Sequence, residues 1–316
     1  MLKKITLSLI SMLLLVTVGA CGNKNVGTST SSNSDFEAND GKVKVVVSFN
    51  ALAQFTKAIG KDKVDVQTII PKGTEAHDFE PKPKDLTSLS KAKIFVYNGL
   101  GMESWVDKTI KAADNKELVL VEASRGVNPI KNVDQESSDS HEGEVQHGQY
   151  DPHVWISLSG AKIEAKNIKD ALVKVDPGNK DFYESNYNEF AAKLDTMLNE
   201  YNGKFSEVKN KNFVTGHSAF AYFCRDFNLQ QNSVENVFAE GEPTPKKMQE
   251  LIDYCKENGV KVVFMEDMVS PKVSETLAKE VGAKVEKIYT TENEEDGKDY
   301  IQSMKENLDK VYNSLK

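Results

Sequence analysis

Residues 176–205 read DPGNKDFYESNYNEFAAKLDTMLNEYNGKF. Apolar residues recur at Tyr183, Tyr187, Phe190, Leu194, Met197, Tyr201 and Phe205, in steps of four, three, four, three, four and four. That is the period of one long amphipathic helix. At 1.5 Å per residue it would run roughly 35 Å, about the width of a small domain. A helix of that length can be a stiff strut between two lobes or an ordinary core helix of one large domain.

The chain on either side argues for the strut. Upstream, VKVVVSF (43–49) is a β-branched run, ALAQFTKAIG (51–60) has helical spacing, and VDVQTIIP (64–71) is again strand-like. PKDLTSLSKA, KIFVYN, MESWVDKTIKAA and LVLVEA continue as helix, strand, helix, strand. Downstream the alternation repeats, with NFVTG, AFAYFCRDFNL, the weak strand NSVENVF, a helix with Thr244 as N-cap and Pro245 at its first position, KVVFME, SETLAKEVG ending at Gly282, AKVEKIY and YIQSMKENLDKVYNSL. Strands alternating with helices imply parallel pairing. The expected fold is α/β, two lobes each with a mainly parallel sheet flanked by helices, joined by one long rigid helix. The expected divisions are an N-terminal lobe at 43–175, the linking helix at 176–208 and a C-terminal lobe at 209–316. A body of roughly 275 residues is also more than one compact core usually holds.

The first residues carry a different message. Lys3 and Lys4 precede an uncharged apolar run, Ile5 to Ala20, that ends in Val18-Gly19-Ala20-Cys21. A short basic region, an apolar region and small residues before a cut describe an export signal at 1–20. The run is short for a membrane span, which takes about 20 residues. The small residues before Cys21 resemble a bacterial lipobox, in which the cysteine is diacylated and becomes the new N-terminus. Residues 22–42 are rich in Ser, Asn, Gly and Thr and read as a flexible tether, with a reach of about 25 Å by random-coil scaling. The expected location is the extracytoplasmic face of the cell membrane, held by lipid on Cys21. A net charge of −8 leaves no basic face for nucleic acid. Cys224 and Cys255 lie in helical patterns, and both a disulfide and two buried thiols are open to them.

Of five histidines, three stand in loop-like stretches beside strand signals: His77 in PKGTEAHDFEPKP, His153 in DPHVW and His217 in VTGHSAF. Imidazole is the commonest side-chain ligand of transition metals, and residues this far apart in sequence meet only through folding. Each could equally be an ordinary capping or core histidine. His141 and His147 sit in the acidic loop 131–150 with Asp134, Glu136, Asp139, Glu142 and Glu144. That loop reads as a surface insertion, either a weak metal collector or simply a solvated charge run.

The lipobox, the three histidine motifs, NGLGMESW (98–105), GEPTP (241–245) and VSPKVSETLAKEVGAKV (269–285) follow one another in an order that resembles the metal-specific solute-binding lipoproteins of bacterial ABC importers, the cluster A-I group with its ZnuA- and AdcA-like zinc members. The resemblance covers 43–316. It implies two lobes with the metal in the cleft, His77 and His153 from the first lobe, His217 from the second, and a carboxylate in the second lobe just after the last strand. Glu292 best matches that carboxylate, with Glu294 and Glu295 close by. It implies a monomeric, non-enzymatic partner of a membrane permease and, through it, of an ATPase. Zn(II) is the expected cargo because manganese-type relatives usually carry Glu where this chain has His217, and Mn(II) prefers harder oxygen ligands. Asp151 could orient His153 or simply cap a turn. The chain departs from the family in Ala76, where proline often stands, in ISL after DPHVW, where an Asp-Pro pair is common, and in the few histidines of the acidic loop. Alternative functions are a manganese-binding component, a metal-dependent surface adhesin, and a zinc hydrolase, against which the HExxH pattern is missing and the fourth position filled. With imidazoles near their ordinary pKa, affinity should fall below a pH of about 6.

Overall fold

A computed structural model describes residues 41–132, 148–239, 243–267 and 270–316, all within one compact unit, Asp35–Lys316. In the first half β1 (Val43–Val47), α1 (Asn50–Gly60), β2 (Val64–Thr68), α2 (Pro83–Lys91), β3 (Ile94–Tyr97), α3 (Val106–Ala113) and β4 (Val119–Glu122) alternate as expected. The strands pair in parallel in the order β2-β1-β3-β4. Then come α4 (Leu158–Val175) and the long α5 (Lys180–Glu207). The second half contains β5 (Asn212–Thr215), α6 (Ala221–Phe227), β6 (Gln230–Ser233), α7 (Pro245–Glu257), β7 (Val262–Met265), α8 (Pro271–Val281), β8 (Lys284–Lys287) and α9 (Tyr300–Ser314). Its sheet, β6-β5-β7-β8, repeats the first sheet's order and is again parallel.

The long helix has 28 residues and follows a 3₁₀ turn at Pro177–Asn179, so it starts four residues after Asp176. Its buried stripe is Tyr183, Phe190, Leu194, Met197, Tyr201 and Phe205, with Asn186 and Ala191 between; Tyr187 is only half-buried. It packs on α1 and α4 of the first half and on α6 and α9 of the second. The helix α4 is an element the sequence reading left unassigned. Its buried positions Leu158, Ala161, Ala165, Ile168 and Leu172 keep helical spacing, and the Ser157 hydroxyl accepts from the Gly160 amide at its start. The stretch NSVENVF is not a strand throughout: β6 ends at Ser233, and Val237 and Phe238 lie in the following loop.

One apolar core runs from Val45, Val47 and Phe95 in the first sheet, past Leu194 and Phe205 of α5, to Phe213, Phe264 and Met304 in the second half. A second core fills the other face of the second sheet, where Val214 and Val263 meet Leu251 of α7 and Leu277 of α8. Alternation along β5 and β7 sends Phe213 and Phe264 to one core and Val214 and Val263 to the other, as period two requires. Hydrogen bonds also cross between the halves. Asp226 of α6 accepts from the Ser157 hydroxyl at 2.7 Å, and the Tyr222 hydroxyl donates to the Asp151 carbonyl at 2.8 Å. Tyr300, at the start of α9, packs edge-on against Phe55 of α1 and donates to the Trp155 carbonyl at 2.6 Å.

Cys224 and Cys255 are both buried and both free thiols. The feet of the acidic loop are pinned by a Lys131–Tyr150 bridge, and Gly148 lies against Gly101, where a Cβ would meet the Leu100 carbonyl at 2.4 Å. His141, His147 and Cys21 lie outside the described residues. Among those residues no helix is long and apolar enough to cross a membrane.

Candidate metal centre

In open parallel sheets, loops leaving the carboxyl ends of the strands gather at one edge and form the binding crevice. Here His77 follows β2, His217 follows β5, Glu292 follows β8, and His153 opens the turn that leads into α4. His77, His153, His217 and Glu292 each offer one ligand atom, and these atoms all lie within 4.8 Å of one another. All four side chains are buried: His153 is 0% exposed, His217 3%, Glu292 4% and His77 8%. Four donors at 2.0–2.1 Å from one tetrahedral ion would stand roughly 3.3 Å apart. The Nε2 atoms of His153 and His77 are 3.2 Å apart, and His153 Nε2 is 3.9 Å from Glu292 Oε1. Among the described residues, Nε2 of His217 and Oε1 of Glu292 are buried without a hydrogen-bond partner. Burying such groups unpaired is costly, so the donor set fits a cation.

Each histidine is held differently. The Nδ1–H of His153 donates to Asp151 Oδ1 at 2.9 Å, which leaves Nε2 with its lone pair facing the cluster. The same oxygen accepts the His153 amide, so Asp151 both closes the turn and orients the ring. Behind His217 stands Glu266, which the sequence reading did not single out. Its Oε1 accepts from the His217 amide at 3.3 Å and lies 3.5 Å from Nδ1. The signal was a charged residue ending the apolar strand VVFM, at the edge where ligands gather. His77 is set by its own loop, where Glu75 Oε1 accepts the amides of Ala76 and His77, and the Phe238 ring packs edge-on at 5.3 Å. Of the two other acidic candidates, Glu294 is exposed and lies 3.6 Å from Lys72. Glu295 turns away toward Lys287, at 3.5 Å.

The electrostatics follow from crowding acids and imidazoles out of water. Burial, followed by the neighbouring charge of His217, holds His153 well below its ordinary pKa. Burial also opposes charge on His217, but the hydrogen bond and charge of Glu266, then Glu292 and Glu75, outweigh it and lift the ring to about 9. Glu292 is raised to about 8, by burial first and then by Glu75, against the pull of His217. Burial likewise raises Asp151 to about 7.

Two parallel sheets with a buried set of possible metal donors gathered from the loops of both halves describe a metal-capturing solute-binding protein. The chain belongs to the family described as zinc-uptake complex component A, periplasmic (ZnuA), whose model matches residues 45–314. It is 38% identical over 304 residues, 94% of this chain and 93% of the relative, to the high-affinity zinc uptake system protein ZnuA of Bacillus subtilis. The Zn(II)-bound ZnuA-like domain of Streptococcus pneumoniae AdcA superposes with a TM-score of 0.72 at 30% identity, covering 87% of this chain and 99% of that one. The laminin-binding protein Lmb of Streptococcus agalactiae, described as having both adhesin and metal-transporting activity, superposes with a TM-score of 0.78 at 33% identity, covering 87% of this chain and 100% of that one. The family is one of solute-binding proteins and not of enzymes.

Proposed function

We propose that this chain is the extracytoplasmic, high-affinity zinc-binding component of an ABC transporter, capturing Zn(II) between its lobes and delivering it to the membrane permease. The observation that carries this reading is the buried set of three imidazoles and one carboxylate gathered from both halves of the chain. Such a set suits four-coordinate zinc, whereas manganese favours more oxygen. With Glu292 as fourth donor no position is left open for a reactive water, which favours capture over hydrolysis. His77, His153, His217 and Glu292 are the ligands in this reading. Asp151 and Glu266 hold two of the rings from behind.

The chain works as a monomer, tethered to the outer face of the membrane by lipid on Cys21. In support stand the export-type start, the lipobox-like residues before Cys21 and the relatives' names. A second reading, surface adhesion, is favoured by the likeness to Lmb and is compatible with the first.

Growth with zinc and manganese offered together, followed by native purification, tests the metal. About one zinc per chain and little manganese is expected, with zinc lost from the His77→Ala, His217→Ala double variant; manganese in place of zinc, or unchanged zinc in the double variant, overturns the assignment. Cys21→Ala should move the protein from the membrane fraction to the medium or periplasm; retention in the membrane overturns the lipid tether.

A further inference from the structure

Glu292 comes from the second half of the sequence, yet the bonds on its backbone come from the first. Four consecutive carbonyls accept from first-half donors. Trp155 Nε1 donates to the Thr290 carbonyl at 2.8 Å. Asn50 then supplies three bonds: its Nδ2 donates to the carbonyls of Thr291 at 3.1 Å and Asn293 at 2.8 Å, and its amide to that of Glu292 at 3.1 Å. The Asn293 side chain extends the contact, accepting from the Gly73 amide at 2.8 Å and donating to the Thr74 carbonyl at 3.4 Å. Gly73 and Thr74 belong to the loop that carries His77.

Asn50 is the first residue of α1, and the preceding Phe49 supplies no side-chain cap. The first amides of a helix lack partners of their own and concentrate positive charge. The Glu292 carbonyl, which accepts the Asn50 amide, therefore fills a need that α1 has in any case. The mooring also explains a strained residue. Thr291 has φ 59°, left-handed backbone that a β-branched side chain rarely adopts, and its hydroxyl is buried without a partner among the described residues. Such conformations persist where the surroundings over-determine them. His217 contrasts with Glu292, since its amide and carbonyl bond to Glu266, Thr215 and Gln231, all of the second half.

We infer that Asn50 is a positioning residue for the zinc site, mooring the 290–293 segment so that the Glu292 carboxylate stays with the first lobe when the cleft opens. The inference rests on the zinc-capture reading above. Mechanically the four ligands then divide three and one, with His217 alone carried by the second lobe.

A double-variant cycle on the purified full chain, read by competition for Zn(II) against a chromophoric chelator, tests it. Asn50→Ala should weaken zinc binding about 10- to 100-fold, the usual scale for losing a partner that orients a ligand. Added to Glu292→Gln it should cost nothing further, because its effect acts through that carboxylate. An equal loss in both backgrounds, or no loss in either, overturns the positioning role. Unchanged affinity in Glu292→Gln alone would instead remove the ligand assignment, and the inference with it. Asn293→Ala, expected to show a smaller loss with the same dependence on Glu292, serves if Asn50→Ala does not fold. Hydrogen exchange supplies a separate readout. The Asn50 and Gly73 amides should stay protected in chelated and zinc-loaded protein alike; protection at Asn50 that vanishes on chelation overturns the mooring.

Discussion

At the scale of the residue, the proposed ligation would trade protons for metal. His217 at about 9 and Glu292 at about 8 both hold a proton at pH 7 in the metal-free protein, while a bound ion needs the neutral ring and the ionised carboxylate. The two titrate as a coupled pair. Zinc binding at pH 7 should therefore release between one and two protons, read by calorimetry in buffers of different ionisation enthalpy; no release would contradict the geometry. Affinity should already weaken between pH 9 and 7, by up to ~100-fold per unit where both protons are displaced, well above the window near 6 expected from unperturbed imidazoles. Stability carries a matching sign. Both folded pKa values are raised, so each contribution is fully present below the unfolded value, 4.5 for Glu292 and 6.5 for His217, and is lost as pH rises from there to the folded value, about 8 and about 9. The chelated protein should melt at a lower temperature at pH 9 than at pH 7, and the zinc-loaded protein at a higher one; equal shifts in the two forms would refute this. The three histidines were legible in sequence because each sits in a short polar loop beside a strand. Glu292 was legible only through family likeness, since Glu294 and Glu295 are the same residue type within three positions, and only the fold leaves Glu294 exposed and turns Glu295 toward Lys287. Glu266 and Asn50 were not found, because their roles depend on partners 49 and 241 to 243 residues away.

At the scale of the element, α5 is shared by the two halves. Its buried stripe touches helices of both halves, so a cavity there is felt by both. Leu194→Ala, at a fully buried position, should destabilise by about 2–5 kcal/mol. At this chain length that lowers the melting temperature by roughly 5–15 °C. Zinc affinity, tested in the same variant, should stay within a few-fold; a melting shift below about 2 °C would show that the stripe does not bear the core. This helix was the most legible element because its large apolar residues recur without interruption. The helix α4 was hidden by chemistry. Its buried face is built partly from Ala161 and Ala165, and Glu164 sits within it fully buried, so the apolar stripe is faint in sequence. NSVENVF misled in the opposite direction, since its apolar end faces the metal centre through Phe238 and not a sheet.

At the scale of the whole molecule, the repeated strand order suggests two bodies, but the main core passes through both. Heating should accordingly give one cooperative transition, not two, as followed by calorimetry; a resolved second transition from the α7–α8 side would show that the smaller core melts by itself. Zinc at a hundred times its dissociation constant should raise that single transition by about 2.7 kcal/mol of stability. The burial of all four donors has a further consequence, measured in time. Every candidate donor is less than a tenth exposed, so, if these four hold the ion, an external chelator has no atom to seize while the cleft is shut. The residence time of the ion is then the waiting time of the fold, and the rate of loss should not change with chelator concentration. A rate that climbs with chelator would mean the donors can be approached one by one. If it stays flat, the partner that unloads the protein acts as a clock-setter, hastening an opening that the free chain makes only rarely.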